Sequence, residues 1–188
     1  MLEERTRNQT IHIVVRRIVI LLSVSVGIGL LAHRVRRSPE QEDLTQFVAV
    51  QLPSLLNTER DARATLERLG EKPGLTPVQA RALLIDEAIP KLIRLKHQAE
   101  GLSARTFESE QLKREYVHAV DELTDAARAC VRVIDDPKLP EGAGLTIIRE
   151  RFAFVEQVFA SWDAHVRQAC VRHRLAPPDA LHKAEGKS

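Results

Sequence analysis

Between residues 145 and 174 the apolar side chains Ile148, Phe152, Val155, Phe159, Trp162, Val166 and Ala169 recur at intervals of 4, 3, 4, 3, 4 and 3. That spacing gathers them on one stripe of a helix but would scatter them over both faces of a strand, so the segment must be a helix with one buried side. A single stripe of this kind is stable only against other stripes, and the sequence holds three more. Residues 106–135 carry Leu112, Tyr116, Val120, Leu123, Ala127, Val131 and Ile134. A segment from Thr76-Pro77 to Gly101 carries Val78, Ala82, Ile85, Ile89 and Leu92. The earliest runs from Ser38 to Gly70 with Leu44, Val48, Leu52, Leu55, Ala62, Leu66 and Leu69 on one side.

The punctuation agrees with four helices. Ser38-Pro39-Glu40-Gln41 reads as an N-cap, a first-turn proline and a capping-box partner, and Thr76-Pro77 repeats the N-cap and proline. Gly70 and Gly101 read as stops, and Asp136-Pro137 with Pro140–Gly144 as a connector. No segment alternates with period two. The expected fold is all-α: an antiparallel four-helix bundle over residues 38–174, followed by a polar, disordered tail over 175–188.

Two prolines fall inside helical patterns, Pro53 in the first bundle helix and Pro90 in the second. Each should kink its helix and strand a carbonyl four residues earlier, at Ala49 and Asp86. If the first hairpin turns near residue 73, the two kinks lie within about 5 Å of one level. A shared bend that improves packing accounts for them. The sharper alternative is a ligand pocket or hinge at Pro53 and Pro90.

Ahead of the bundle, Ile18 to Ala32 is fifteen residues without a charge, about 22 Å of helix against a ~30 Å hydrocarbon core. Extending back through Ile11, Ile13, Val14 and Val15 brings it to about 33 Å, provided Arg16 and Arg17 snorkel to the headgroups. Arg34, Arg36 and Arg37 then mark the other end. The cluster His33–Arg37 replaces any A-x-A cleavage pattern, so the reading is an uncleaved single-pass anchor over residues 11–37, after an N-terminal tail of residues 1–10. Arg5, Arg7, Arg16 and Arg17 before the span outnumber the three Arg after it, which leans the bundle to the far side of a cell inner membrane. Ser23 with Gly27, and Ser25 with Gly29, form small-xxx-small pairs through which two copies could form a homodimer.

Charge supports the division. The first 37 residues hold seven Arg against two Glu, whereas the remainder holds 21 basic against 24 acidic residues. A mildly acidic body with one Tyr and one Trp argues against nucleic-acid binding. Arg outnumbers Lys by 21 to 7, in keeping with a GC-rich bacterial source.

Little in the sequence speaks for catalysis. Glu115-Tyr116-Val117-His118 has the Glu-x-x-His spacing of di-iron bundles, but Tyr116 takes the core direction, which turns Glu115 and His118 toward water, and no second copy exists. His173, near an apolar face at the last helix's end, is better placed for terminal carbonyls or the dipole than for a metal. No metal site, cofactor motif, phosphate loop or nucleophile elbow is present, and the expectation is a non-enzymatic protein. Cys130 and Cys170 lie about 30 Å apart in a simple hairpin, too far for a disulfide, so both should be free thiols. Glu59, Arg60, Asp61, Arg63, Glu67 and Arg68 read as a solvated face with helical ion pairs. The function expected from these features is a membrane-anchored interaction or scaffolding module with a protein partner. A ligand-sensing bundle is the alternative, and an enzyme or metalloprotein a third reading without support.

Overall fold

The structure is a computed structural model that describes residues 38–71, 75–178 and 181. The chain divides into two units, residues 1–39 and 40–188. Apart from Ser38 and Pro39, the first lies outside the described residues, and with it the expected anchor, its flanking Arg16, Arg17, Arg34, Arg36 and Arg37, and the pairs Ser23/Gly27 and Ser25/Gly29. Among the described residues there are four helices and no strand, and no helix is long and apolar enough to cross a membrane.

Helix α1 runs through Pro39–Thr45, a π-helical segment Gln46–Gln51, and Leu52–Glu71. Helix α2 has the same construction: Pro77–Ala82, a π-helical segment Leu83–Ala88, then Ile89–Glu100. Helices α3 (Phe107–Asp135) and α4 (Glu141–His173) are uninterrupted. The capping logic holds at α2, where the Thr76 hydroxyl accepts from Gln79 N–H and the Gln79 side chain accepts from Thr76 N–H. Thr106 and Ser109 form the same box at α3. Consecutive helices run antiparallel: late α1 meets early α2 through Arg68–Glu87, early α2 meets the end of α3 through Arg81–Asp135, and early α3 meets late α4 through Leu112–Trp162.

The two prolines do not break their helices. Each sits at the second residue beyond a π segment, where the turn has opened so that Leu52 N–H bonds to Phe47 O and Ile89 N–H to Leu84 O, five residues back. A wider turn gives the pyrrolidine ring room ahead of the position whose N–H is missing.

This local geometry rephases the apolar stripe. An extra residue per turn moves every core position before it by one, so the expected α2 stripe is corrected: Val78 is 77% exposed, Ala82 and Ile85 are exposed, Ile89 is half-buried, and only Leu92 is in the core. Leu84, Ala88, Leu92, Leu95 and Ala99 are buried in its place. In α1 the same shift adds Phe47 to Leu44, Val48 and Leu52. Without π segments, α3 and α4 keep their stripes: Leu112, Tyr116, Val120, Leu123 and Ala127 face Val155, Phe159, Trp162, Val166 and Ala169.

Three contacts secure the ends. The Asp43 carboxylate accepts from Ser109 Oγ, Thr106 Oγ1 and the N–H groups of Arg105 and Thr106, joining α1 to the N-terminus of α3. Gln41 Nε2 donates to His173 O at 2.9 Å, and Gln51 exchanges two hydrogen bonds with the Ser103 backbone. Gly142–Gly144, expected in a connector, belong to the first turn of α4. A Cβ on Gly144 would lie 2.6 Å from Val133 Cγ1, so glycine here permits the close approach of α4 to α3. Past α4, Leu175 is half-buried and Leu181 is 3% exposed, both packed on the core.

Helix α4 ends in a Schellman turn whose left-handed residue is Arg174, with φ 55° and ψ 41°, and whose closing bond is Leu175 N–H to Cys170 O. A side chain at positive φ is strained relative to glycine. Arg174→Gly is expected to raise the unfolding free energy by about 1 kcal/mol, read as a shift of the urea midpoint at unchanged slope.

Candidate ligand cleft

Glu59 was expected on the solvated face of α1, and the structure corrects this: it is 1% exposed. From α3 the Tyr116 hydroxyl donates to Glu59 Oε2 at 2.7 Å, and one turn along α1 the Arg63 Nε donates to Oε1 at 2.6 Å. Arg63 Nη1 continues to Glu156 on α4, and its guanidinium lies 4.3 Å from the centre of the Phe159 ring. Tyr116 in turn packs edge-on to Phe159 and tilted against Trp162, whose Nε1 donates to Leu112 O. A buried carboxylate is tolerable only when paired and hydrogen-bonded, and this one has both.

The network sets the protonation of its members. Burial, followed by the neighbouring Glu59 carboxylate and its hydrogen bond, pushes the Tyr116 hydroxyl well above its ordinary pKa, so it serves as a donor. Burial opposes the Arg63 charge, but Glu59 and Glu156 outweigh it and hold the guanidinium protonated.

Beside this network, toward the end of the bundle where α1 meets α2, the four helices part around a cleft of about 480 Å³. Its walls are predominantly apolar: Leu66 and Leu69 of α1, Ala80 and Leu84 of α2, Leu123, Cys130 and Ile134 of α3, and Leu145, Ile148 and Phe152 of α4. The polar members are Arg63, Glu67 and Glu156. Volume and lining fall in the range of sites for small organic molecules.

Pro53 and Pro90 are half-buried, and neither lines this cleft. His118 is 61% exposed and approaches Glu122, while Glu115 is partly shielded and meets His165 Nδ1 at 2.8 Å on α4. His173 does not engage carbonyls through its ring; its Nε2 lies 2.6 Å from Glu108, which also pairs with Arg172. Glu108, His165, Arg172 and His173 line a second, polar cleft of about 450 Å³ between early α3 and late α4. Among the described residues no group of three or more His, Cys, Asp or Glu is placed to hold a metal ion.

Cys130 and Cys170 are unpaired and buried. Burial lifts the Cys130 thiol to about 11, and burial with the Glu108 charge raises Cys170 as well. Since the thiolate is the nucleophile, both should resist a disulfide reagent at pH 8 in the folded protein and react fully in denaturant. Prompt native labelling of Cys130 would mean that the cleft opens on the reagent's timescale.

The sequence missed Glu59, though a signal was present. The α1 stripe steps Leu52, Leu55, then Ala62, and the position needed to keep the 3–4 rhythm is Glu59. Comparison with protein-family models, with curated proteins and with solved structures gives no match for this chain.

Proposed function

We propose that this chain is a membrane-anchored helical bundle that works as a binding module rather than a catalyst, and that a small organic ligand occupies the cleft between its four helices. The observation that carries the reading is the cleft itself, about 480 Å³, apolar and framed by all four helices beside the Glu59–Arg63–Tyr116 network. A ligand there would touch every helix, and so could alter how they pack or how the bundle meets a partner. The cleft reaches α2 at Ala80 and Leu84, ahead of Pro90 and without Pro53 or Pro90 in its lining.

Anchoring rests on the sequence: the charge-free stretch Ile18–Ala32, flanked by Arg16, Arg17, Arg34, Arg36 and Arg37. We place the chain in a bacterial inner membrane with the bundle outside the cytoplasm. Ser23, Gly27, Ser25 and Gly29 offer a pairing face between two anchors. A fusion of alkaline phosphatase after Ser188 tests the orientation. Activity in the membrane fraction supports it, whereas a fluorescent protein that matures only in the cytoplasm, bright at the membrane, overturns it.

The cleft is tested by equilibrium dialysis of the uncharged probe 2-(1-naphthyl)ethanol against the full chain in neutral-lipid nanodiscs, with empty nanodiscs as the blank. Saturable binding that is lost in Ala80→Phe, a variant that fills the cleft, is the expected result. Absence of saturable binding sinks the reading.

A second reading, recruitment of a protein partner, is favoured by Leu145, Ile147 and Phe154, which remain 62%, 39% and 45% exposed on α4.

A further inference from the structure

We infer that the cleft selects a ligand with an apolar body and a cationic head, such as a hydrophobic amine, over neutral or anionic molecules of the same size; this rests on the binding-cleft reading above. The argument is one of charge complementarity. Among the described residues three polar side chains line the cleft: Glu67 and Glu156 are carboxylates and Arg63 is the one cation. That cation is already engaged: its Nε bonds to buried Glu59, its Nη1 to Glu156, and its π-facing surface covers Phe159. Arg63 Nη2 is buried and without a hydrogen-bond partner among the described residues, and its lack of exposed surface keeps it out of reach of a head at the rim of the cleft.

The carboxylates differ. Glu67 is exposed at the cleft and has no hydrogen bond or ion pair among the described residues. Glu156 is 58% exposed on its side chain and gives Oε1 to Arg63. Among the described residues two carboxylates and one guanidinium line the cleft, and that guanidinium is shared with the buried carboxylate of Glu59. Apolar walls with low dielectric sharpen the field of that excess, so a positive head at the rim gains while a negative one is repelled. The walls, from Leu66 and Leu69 across to Ile148 and Phe152, supply the burial for an aromatic or branched aliphatic body.

The test uses three probes of matched shape on the full chain in neutral-lipid nanodiscs: 2-(1-naphthyl)ethylamine, 2-(1-naphthyl)ethanol and 1-naphthylacetate. The expected result is that the amine binds about tenfold or more tightly than the other two, with the preference shrinking as salt is raised. Glu67→Gln should weaken the amine by about two- to fivefold, the range of an exposed ion pair, and leave the alcohol unchanged. Ala80→Phe should abolish all three. Equal affinities, or a Glu67→Gln variant that binds the amine as the parent does, overturn the charge preference while leaving the cleft reading intact. Binding of the amine that survives Ala80→Phe places it elsewhere and overturns the assignment of this site. Helicity and the urea midpoint of each variant establish that it is folded, and Glu67→Gln changes an exposed side chain outside the buried network.

Discussion

Arg63→Ala is expected to lower the unfolding free energy by about 3–5 kcal/mol, the cost of leaving a buried carboxylate without its cation. The partner left behind is Glu59, 1% exposed, which keeps its hydrogen bond from the Tyr116 hydroxyl but loses its cation. The substitution also removes the guanidinium from the Phe159 ring and its bond to Glu156, so α1 loses its polar connection to α4 at this level. Urea unfolding followed by far-UV circular dichroism measures the change. Replacing the whole constellation, Glu59→Leu with Arg63→Met and Tyr116→Phe, should return most of the loss, because apolar groups of similar volume need no compensation. A loss below about 1 kcal/mol in Arg63→Ala would mean that Glu59 is neutral or reached by water, and the account of the network would be wrong.

At the other end of the bundle, Asp43→Ala should cost about 2–4 kcal/mol near neutral pH, since it removes the acceptor of the Arg105 N–H, loosens the Thr106–Ser109 cap of α3 and cuts the link from α1. One carboxylate oxygen takes all four bonds, from Arg105 N, Thr106 N, Thr106 Oγ1 and Ser109 Oγ. Burial would raise the Asp43 pKa, but the hydrogen bonds from Ser109, Arg105 and Thr106 outweigh it and hold the group below its ordinary 3.8. A carboxyl with a depressed folded pKa favours the native state above its unfolded value and loses that contribution as pH falls through the folded one. The gap between parent and Asp43→Ala should therefore be widest at neutral pH and narrow progressively below about pH 4. Urea midpoints of both proteins from pH 7 to pH 2 provide the comparison. A gap that stays constant through acid would show that Asp43 contributes by packing alone.

How far the sequence reaches depends on whether an interaction is local. Thr76 and Thr106 cap their helices through bonds made within three residues, and the stripes of α3 and α4 need only an unbroken 3.6-residue period. The Thr76 cap, the two stripes and the four helices were legible for that reason, whereas the Thr106 cap was not singled out. The α2 stripe was not, because a π segment over Leu83–Ala88 precedes Pro90 and a plain 3.6-residue period does not foresee it. That segment moves Leu84 into the core and Ile85 out of it.

The same division separates the surface from the candidate site. Glu59 and Arg63, four apart on a helix, look identical in sequence whether the pair faces water or the core. Tyr116, 57 residues away in the chain, joins Arg63 in partnering the buried Glu59, and Glu156 and Phe159 of α4 hold Arg63 at the edge of the cleft. The cleft is more distant still from any local signal, since its walls come from four helices and its volume depends on how they part. By itself the sequence determined four helices, the cap at Thr76, their order and a basic, apolar N-terminal segment, because each follows from residues within a few turns of one another. Tertiary structure alone decided the phase of α2, the burial of Glu59 and the shape and charge of the cleft, because these depend on residues that meet only after the chain has folded.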